Sequence, residues 1–165
     1  MKTRRVLEIV LVLLLVVGLS APALARKKNS FKAELDGFQE TPAISTTGTG
    51  EFRARISKDE DSIDFELTYS GLEGGAVTAA HIHLGQAGVA GGVSAFLCGG
   101  GGKPACPASG TVEATIVASD VIGPAGQGIA AGELDELVAA IRDGVTYANV
   151  HTTTFPTGEI RGRIK

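Results

Sequence analysis

Three features predict an all-β chain built as an antiparallel, Greek-key-like β-sandwich. Apolar and polar residues alternate in short bursts from Phe31 onward, the chain is rich in turn formers with 23 glycines and six prolines in all, and only one segment has helical spacing. Phe31, Ala33 and Leu35 fall on one side of the first strand, with Lys32, Glu34 and Asp36 on the other. Phe52, Ala54 and Ile56 alternate with charged residues, as do Ile63, Phe65, Leu67 and Tyr69, and the charged turn Lys58-Asp59-Glu60-Asp61 separates these two runs. Further strands are predicted at Val77–Leu84, Val93–Leu97, Thr111–Val117, Val145–His151 and Glu159–Ile164. The last two read as a hairpin turning at Phe155-Pro156-Thr157-Gly158. Gly85–Gly92, Gly99–Gly102 and Gly123–Gly128 read as loops.

One segment breaks the period of two. Leu134, Leu137, Val138 and Ile141 are spaced for one face of a helix, with acidic residues in the first turn, Arg142 in the last and Gly144 just beyond. The pattern predicts a short amphipathic helix over Glu133–Asp143, laid across one end of the sandwich.

The domain plan is a leader over residues 1–25 and one domain over 26–165. Lys2, Arg4 and Arg5 precede the apolar run Val6–Leu19, and Ala23-Leu24-Ala25 has the small-x-small form of a cleavage site. The run is too short to favour a retained anchor, so the expectation is an exported monomer, extracellular or periplasmic, without a membrane span after cleavage. The net charge is −3 and becomes more negative without the basic leader. That balance argues against a nucleic-acid partner, which would call for a basic face. Two cysteines, Cys98 and Cys106, flank a glycine-rich segment. In an exported chain their default use is a disulfide, with about 2–3 kcal/mol of loop entropy removed from the unfolded chain.

All three histidines lie in predicted strands. Alternation puts His81 and His83 on one face, about 6–7 Å apart along the strand, opposite Ala80, Ile82 and Leu84. By the same count Asn149 and His151 oppose Ala148 and Val150, and Glu159 and Arg161 oppose Ile160 and Gly162. If these strands are neighbours, His81, His83, Asn149, His151, Glu159 and Arg161 share one polar patch. Two uses of it stay open. The imidazoles could bind a divalent metal, Zn or Cu, with Glu159 or Asn149 as a further ligand or supporting partner. Alternatively they are hydrogen-bonded within a polar network in which Glu159, or a loop acid such as Glu40, pairs Arg161.

Four motifs carry a family resemblance. Gly37-Phe38-Gln39-Glu40-Thr41-Pro42, Thr78-Ala79-Ala80-His81-Ile82-His83-Leu84-Gly85, Tyr147-Ala148-Asn149-Val150-His151-Thr152 and Gly158-Glu159-Ile160-Arg161-Gly162 resemble, in order, the CHRD domain. The resemblance spans about residues 31–164 and implies a secreted all-β domain. It does not bring the growth-factor binding of chordin, whose cysteine-rich modules and repeats are absent from this chain. The H-x-H strand is also similar to the copper-binding strand of Cu/Zn superoxide dismutases. A dinuclear site of that kind needs more histidines than the three present, so that activity is not carried over.

No G-x-S-x-G occurs and the cysteines are expected to be paired, so hydrolytic and thiol catalysis are not expected. The leading expectation is a non-catalytic binding or structural module with an extracellular or cell-surface ligand and no assigned cofactor. The alternative is a Cu- or Zn-binding protein using His81, His83 and His151, extending to a metal-dependent oxidoreductase.

Overall fold

A computed structural model describes residues 27–165, so the leader predicted over 1–25 lies outside the described residues. Eight strands form one antiparallel sheet: β1 (Ser30–Asp36), β2 (Thr49–Ile56), β3 (Ser62–Ser70), β4 (Val77–Leu84), β5 (Gly92–Cys98), β6 (Gly110–Val117), β7 (Thr146–Thr152) and β8 (Ile160–Arg163). Their order in space is β5-β4-β7-β8-β1-β2-β3-β6. The all-β antiparallel prediction holds, and the two packed layers are halves of one continuous, curled sheet. The edge strands draw together through a bridge between Ala95 and Val121, which nearly closes the sheet.

Alternation explains the inner surface. Phe31, Ala33 and Leu35 of β1, Phe52, Ala54 and Ile56 of β2, and Ile63, Phe65, Leu67 and Tyr69 of β3 are all buried in one core. Ala80 and Ile82, Ala95 and Leu97, Ala148 and Val150, and Ile160 enter the same core from the other half. The helix α1 (Leu134–Arg142) turns Leu134, Leu137, Val138 and Ile141 into it, as its spacing predicts. Each such buried side chain contributes about 1.5–3 kcal/mol through burial.

The outer surfaces of the two halves differ. On β1, β2 and β3 the alternate residues are exposed or partly exposed, and the register sets Lys32, Arg53, Glu66 and Glu113 side by side. On β7 all seven residues are buried. Its outer face, with those of β4 and β8, is roofed by the segments 37–42, 85–91 and 153–158. The seam between the halves runs along β1 and β8, where Asp36 pairs with Arg161 and Lys32 with Lys165 exchanges two backbone bonds. Cys98 and Cys106 form a disulfide, as expected.

Candidate functional site

The roofed outer face of β4, β7 and β8 holds the three histidines. β4 pairs antiparallel with β7, setting His81 opposite Asn149 and His83 opposite Tyr147, while His151 lies opposite Ala79. β7 pairs with β8 and sets Asn149 opposite Arg161. The assumed strand adjacency is therefore present. His81, His83 and His151 are only 8%, 7% and 7% exposed, so the patch is a buried polar cluster under loops rather than an open surface.

One ligand atom from each imidazole lies within 4.8 Å of the others. His83 Nδ1 is 3.0 Å from the carbonyl oxygen of Gly91, and His151 Nδ1 is 3.0 Å from that of Pro156. A carbonyl only accepts, so each Nδ1 must carry a proton and donate it. Neutral rings with that tautomer leave Nε2 as an unprotonated lone pair. In His83 this Nε2 is buried without a partner. In His151 it accepts from His81 Nδ1 at 2.9 Å, so His81 also carries its proton on Nδ1. One nitrogen of each ring thus lies within 4.8 Å of the others, and two of the rings have their orientation fixed by backbone carbonyls.

The walls of the cluster are aromatic. Phe96 meets His81 edge-on with centroids 4.4 Å apart, and Tyr147 stacks on His83 at 4.8 Å with the planes only 5° apart. Alternation places Phe96 and Tyr147 on the outer faces of their strands, so that signal was available in the sequence. The Gly91 and Pro156 carbonyls carried none, because side-chain patterns say nothing about where a loop's backbone turns. Gly91 itself must lack a side chain, since a Cβ there would run into the Leu84 carbonyl. Its amide donates to the Tyr147 hydroxyl at 3.0 Å.

Burial sets the protonation of the rings. It pushes His81 down to about 3, with repulsion from His151 and His83 adding to it. His83 is pushed down to about 4, chiefly by burial, with the Gly91 bond opposing and the charges of His151 and Arg161 reinforcing. His151 is lowered by burial against the Pro156 bond. At neutral pH all three are uncharged, the form in which imidazole acts as a ligand.

The acids lie elsewhere. Arg161 donates from Nε to Glu40 Oε2 at 2.8 Å and from Nη1 to the Val89 carbonyl at 3.1 Å. Asn149 Nδ2 donates to Glu40 Oε1 at 2.6 Å and to the Ile160 carbonyl at 2.9 Å. Burial raises the Glu40 carboxyl, and the Arg161 and Asn149 bonds offset this only in part. Glu159 does not join the imidazoles or Arg161. It accepts from Thr46, Thr152 and the amides of Glu73 and Gly74, at 2.7–2.9 Å. Burial raises its pKa, but those donors outweigh it and hold the carboxylate low. The pairing of Glu159 with Arg161 is thus replaced by Glu40 with Arg161, and Glu159 becomes a tie between loops. Asn149 supports Glu40 instead of turning its amide to the imidazoles.

Among the described residues no helix is long and apolar enough to cross a membrane. No curated protein and no solved structure matches the chain. The family model of the CHRD domain matches residues 31–164. That span takes in all eight strands but for Ser30 at the start of β1, with the helix and every residue of the cluster, and the chain belongs to the CHRD domain family.

Proposed function

We propose that this protein is an exported, non-catalytic CHRD module whose ligand is a transition-metal ion of the Zn/Cu class, held by His81, His83 and His151. The observation that carries the reading is the pair of backbone-locked tautomers, which leave Nε2 of His83 and of His151 unprotonated within a cluster whose ligand atoms all lie within 4.8 Å of one another. Metal-bound histidines commonly donate their second N–H to a carbonyl or carboxylate in this way. A metal 2.0–2.1 Å from each nitrogen requires nitrogens about 3.3–3.6 Å apart. The nitrogens lie 2.9 Å apart between His81 and His151, within an overall spread of 4.8 Å, so binding draws the rings to a common distance and moves the His81 proton from Nδ1 to Nε2. Export is supported by the leader pattern and by the Cys98–Cys106 disulfide, which belongs in an oxidising compartment.

Thermal unfolding of the purified protein tests the reading, using Zn²⁺, Cu²⁺ and, with ascorbate under nitrogen, Cu⁺. At about one hundred times Kd a bound ion adds about 2.7 kcal/mol, a rise of roughly 5–10 °C in Tm. His83→Ala should remove the rise. No shift with any of the ions, or an equal shift in the variant, would contradict the proposal.

A second reading, docking to an extracellular macromolecule, is favoured by Phe38, a large apolar side chain 76% exposed beside the roof of the cluster. Recovery of a specific cell-surface partner by the protein, lost in Phe38→Ala, would support it. Equal recovery by the variant would count against it.

A further inference from the structure

Charge distinguishes among the ions that this site could hold. The cluster contains three neutral imidazoles and no carboxylate. The two buried acids nearby are already engaged at both oxygens, Glu40 by Arg161 and Asn149, Glu159 by hydroxyls and amides. The Arg161 guanidinium lies 4.7 Å over the ring of Tyr147, the same ring that stacks on His83, and is paired with Glu40 at 2.8 Å, so the pair brings no net negative charge to the site. The histidines are nearly excluded from water, and Phe96 closes one side.

Such a setting penalises charge on the ion. The cost of moving an ion out of water grows with the square of its charge, so a divalent ion costs about four times as much as a monovalent one of similar size. Carboxylate or thiolate ligands normally offset that cost, and this site supplies none. Coordination number points the same way. Zn²⁺ completes a tetrahedron and Cu²⁺ a tetragonal set, in a three-histidine site by adding water, whereas Cu⁺ is stable with three ligands and asks no water of this dry pocket.

We infer that the His81–His83–His151 site is selective for Cu⁺ over Zn²⁺ and Cu²⁺, because its three ligands are neutral, its surroundings are dry and the acids nearby are committed to other partners. This rests on the metal reading above and narrows it. A bound copper would be held in the reduced state, and the protein would act as a carrier or store for Cu⁺ rather than as a hydrolytic zinc centre.

The test is a set of competition titrations on the purified protein: bicinchoninate against Cu⁺ under nitrogen, and zincon against Zn²⁺ and Cu²⁺. The expected result is one Cu⁺ per chain, bound at least about a thousandfold more tightly than either divalent ion. His83→Ala should lose at least a hundredfold for Cu⁺, and His151→Gln provides a second variant should the first fail to fold. X-ray absorption of the copper-loaded protein should show three nitrogen neighbours. Divalent binding within tenfold of Cu⁺ would overturn the charge argument and leave the metal site standing. Binding of none of the three ions would remove both.

Discussion

His83 shows how much a single residue's hydrogen bond can decide. Its Nδ1 proton is spent on Gly91, and its Nε2 is buried without a hydrogen-bond partner. An unsatisfied buried acceptor costs free energy, about 1–3 kcal/mol, which a bound ion would recover. The same burial makes a pH prediction. His81 and His83 titrate near 3 and 4 when folded, against 6.5 for a free imidazole, and His151 is also lowered. As pH falls through 6.5 the unfolded chain takes up protons first, so stability is complete above that value and is lost progressively toward 4. Glu40 acts in the opposite sense, because its raised carboxyl keeps a proton longer in the folded state, but it is one group against three. Urea unfolding of the metal-free protein should therefore show a lower midpoint at pH 5 than at pH 7. Equal midpoints would contradict the burial of neutral imidazoles.

At the scale of elements, the wall beside His81 depends on the disulfide-closed glycine segment. Gly99 to Gly102 curl around the Phe96 ring so closely that a Cβ at Gly100 or Gly101 would collide with it. Phe96 in turn meets His81. Gly100→Ala should push the ring toward the cluster, lowering stability by about 1–3 kcal/mol and metal affinity on the order of tenfold. Unchanged melting and affinity would show that the segment does not brace the site. The strands themselves were readable from alternation, and β4 falls at Val77–Leu84 as expected, because its inner residues enter the core and its outer ones are polar. The helix was readable from Leu134, Leu137, Val138 and Ile141 for the same reason. Alternation also put the three imidazoles on one face. It did not disclose that loops cover that face, since coverage depends on where the backbone of 37–42, 85–91 and 153–158 travels. Nor could it choose between Glu40 and Glu159 as partner of Arg161, because both acids are compatible with the charge pattern.

Across the whole molecule, one half of the sheet wears a solvated, charged coat and the other carries a second, polar core beneath loops. The ion pair of Arg161 and Glu40 fastens that roof to β8 near the seam of the two halves, with side chains only 6% and 3% exposed. Arg161→Ala should cost about 3–5 kcal/mol, because it leaves Glu40 buried without its counter-charge. The double change Glu40→Gln with Arg161→Met should be milder, and a double variant as unstable as Arg161→Ala would show that the pair serves only as packing.

The central claim is that three imidazoles from two adjacent strands form one preset ligand cluster. Nitrogen-resolved NMR of histidine-labelled protein, recorded before and after adding Cu⁺ or Zn²⁺, tests it most directly. The apo spectrum should show all three histidines as neutral rings protonated at Nδ1. On loading, the signals of His83 Nε2, His151 Nε2 and His81 Nδ1 should move together. Rings protonated at Nε2 in the apo state, or an ion that leaves these three nitrogens undisturbed, would contradict it.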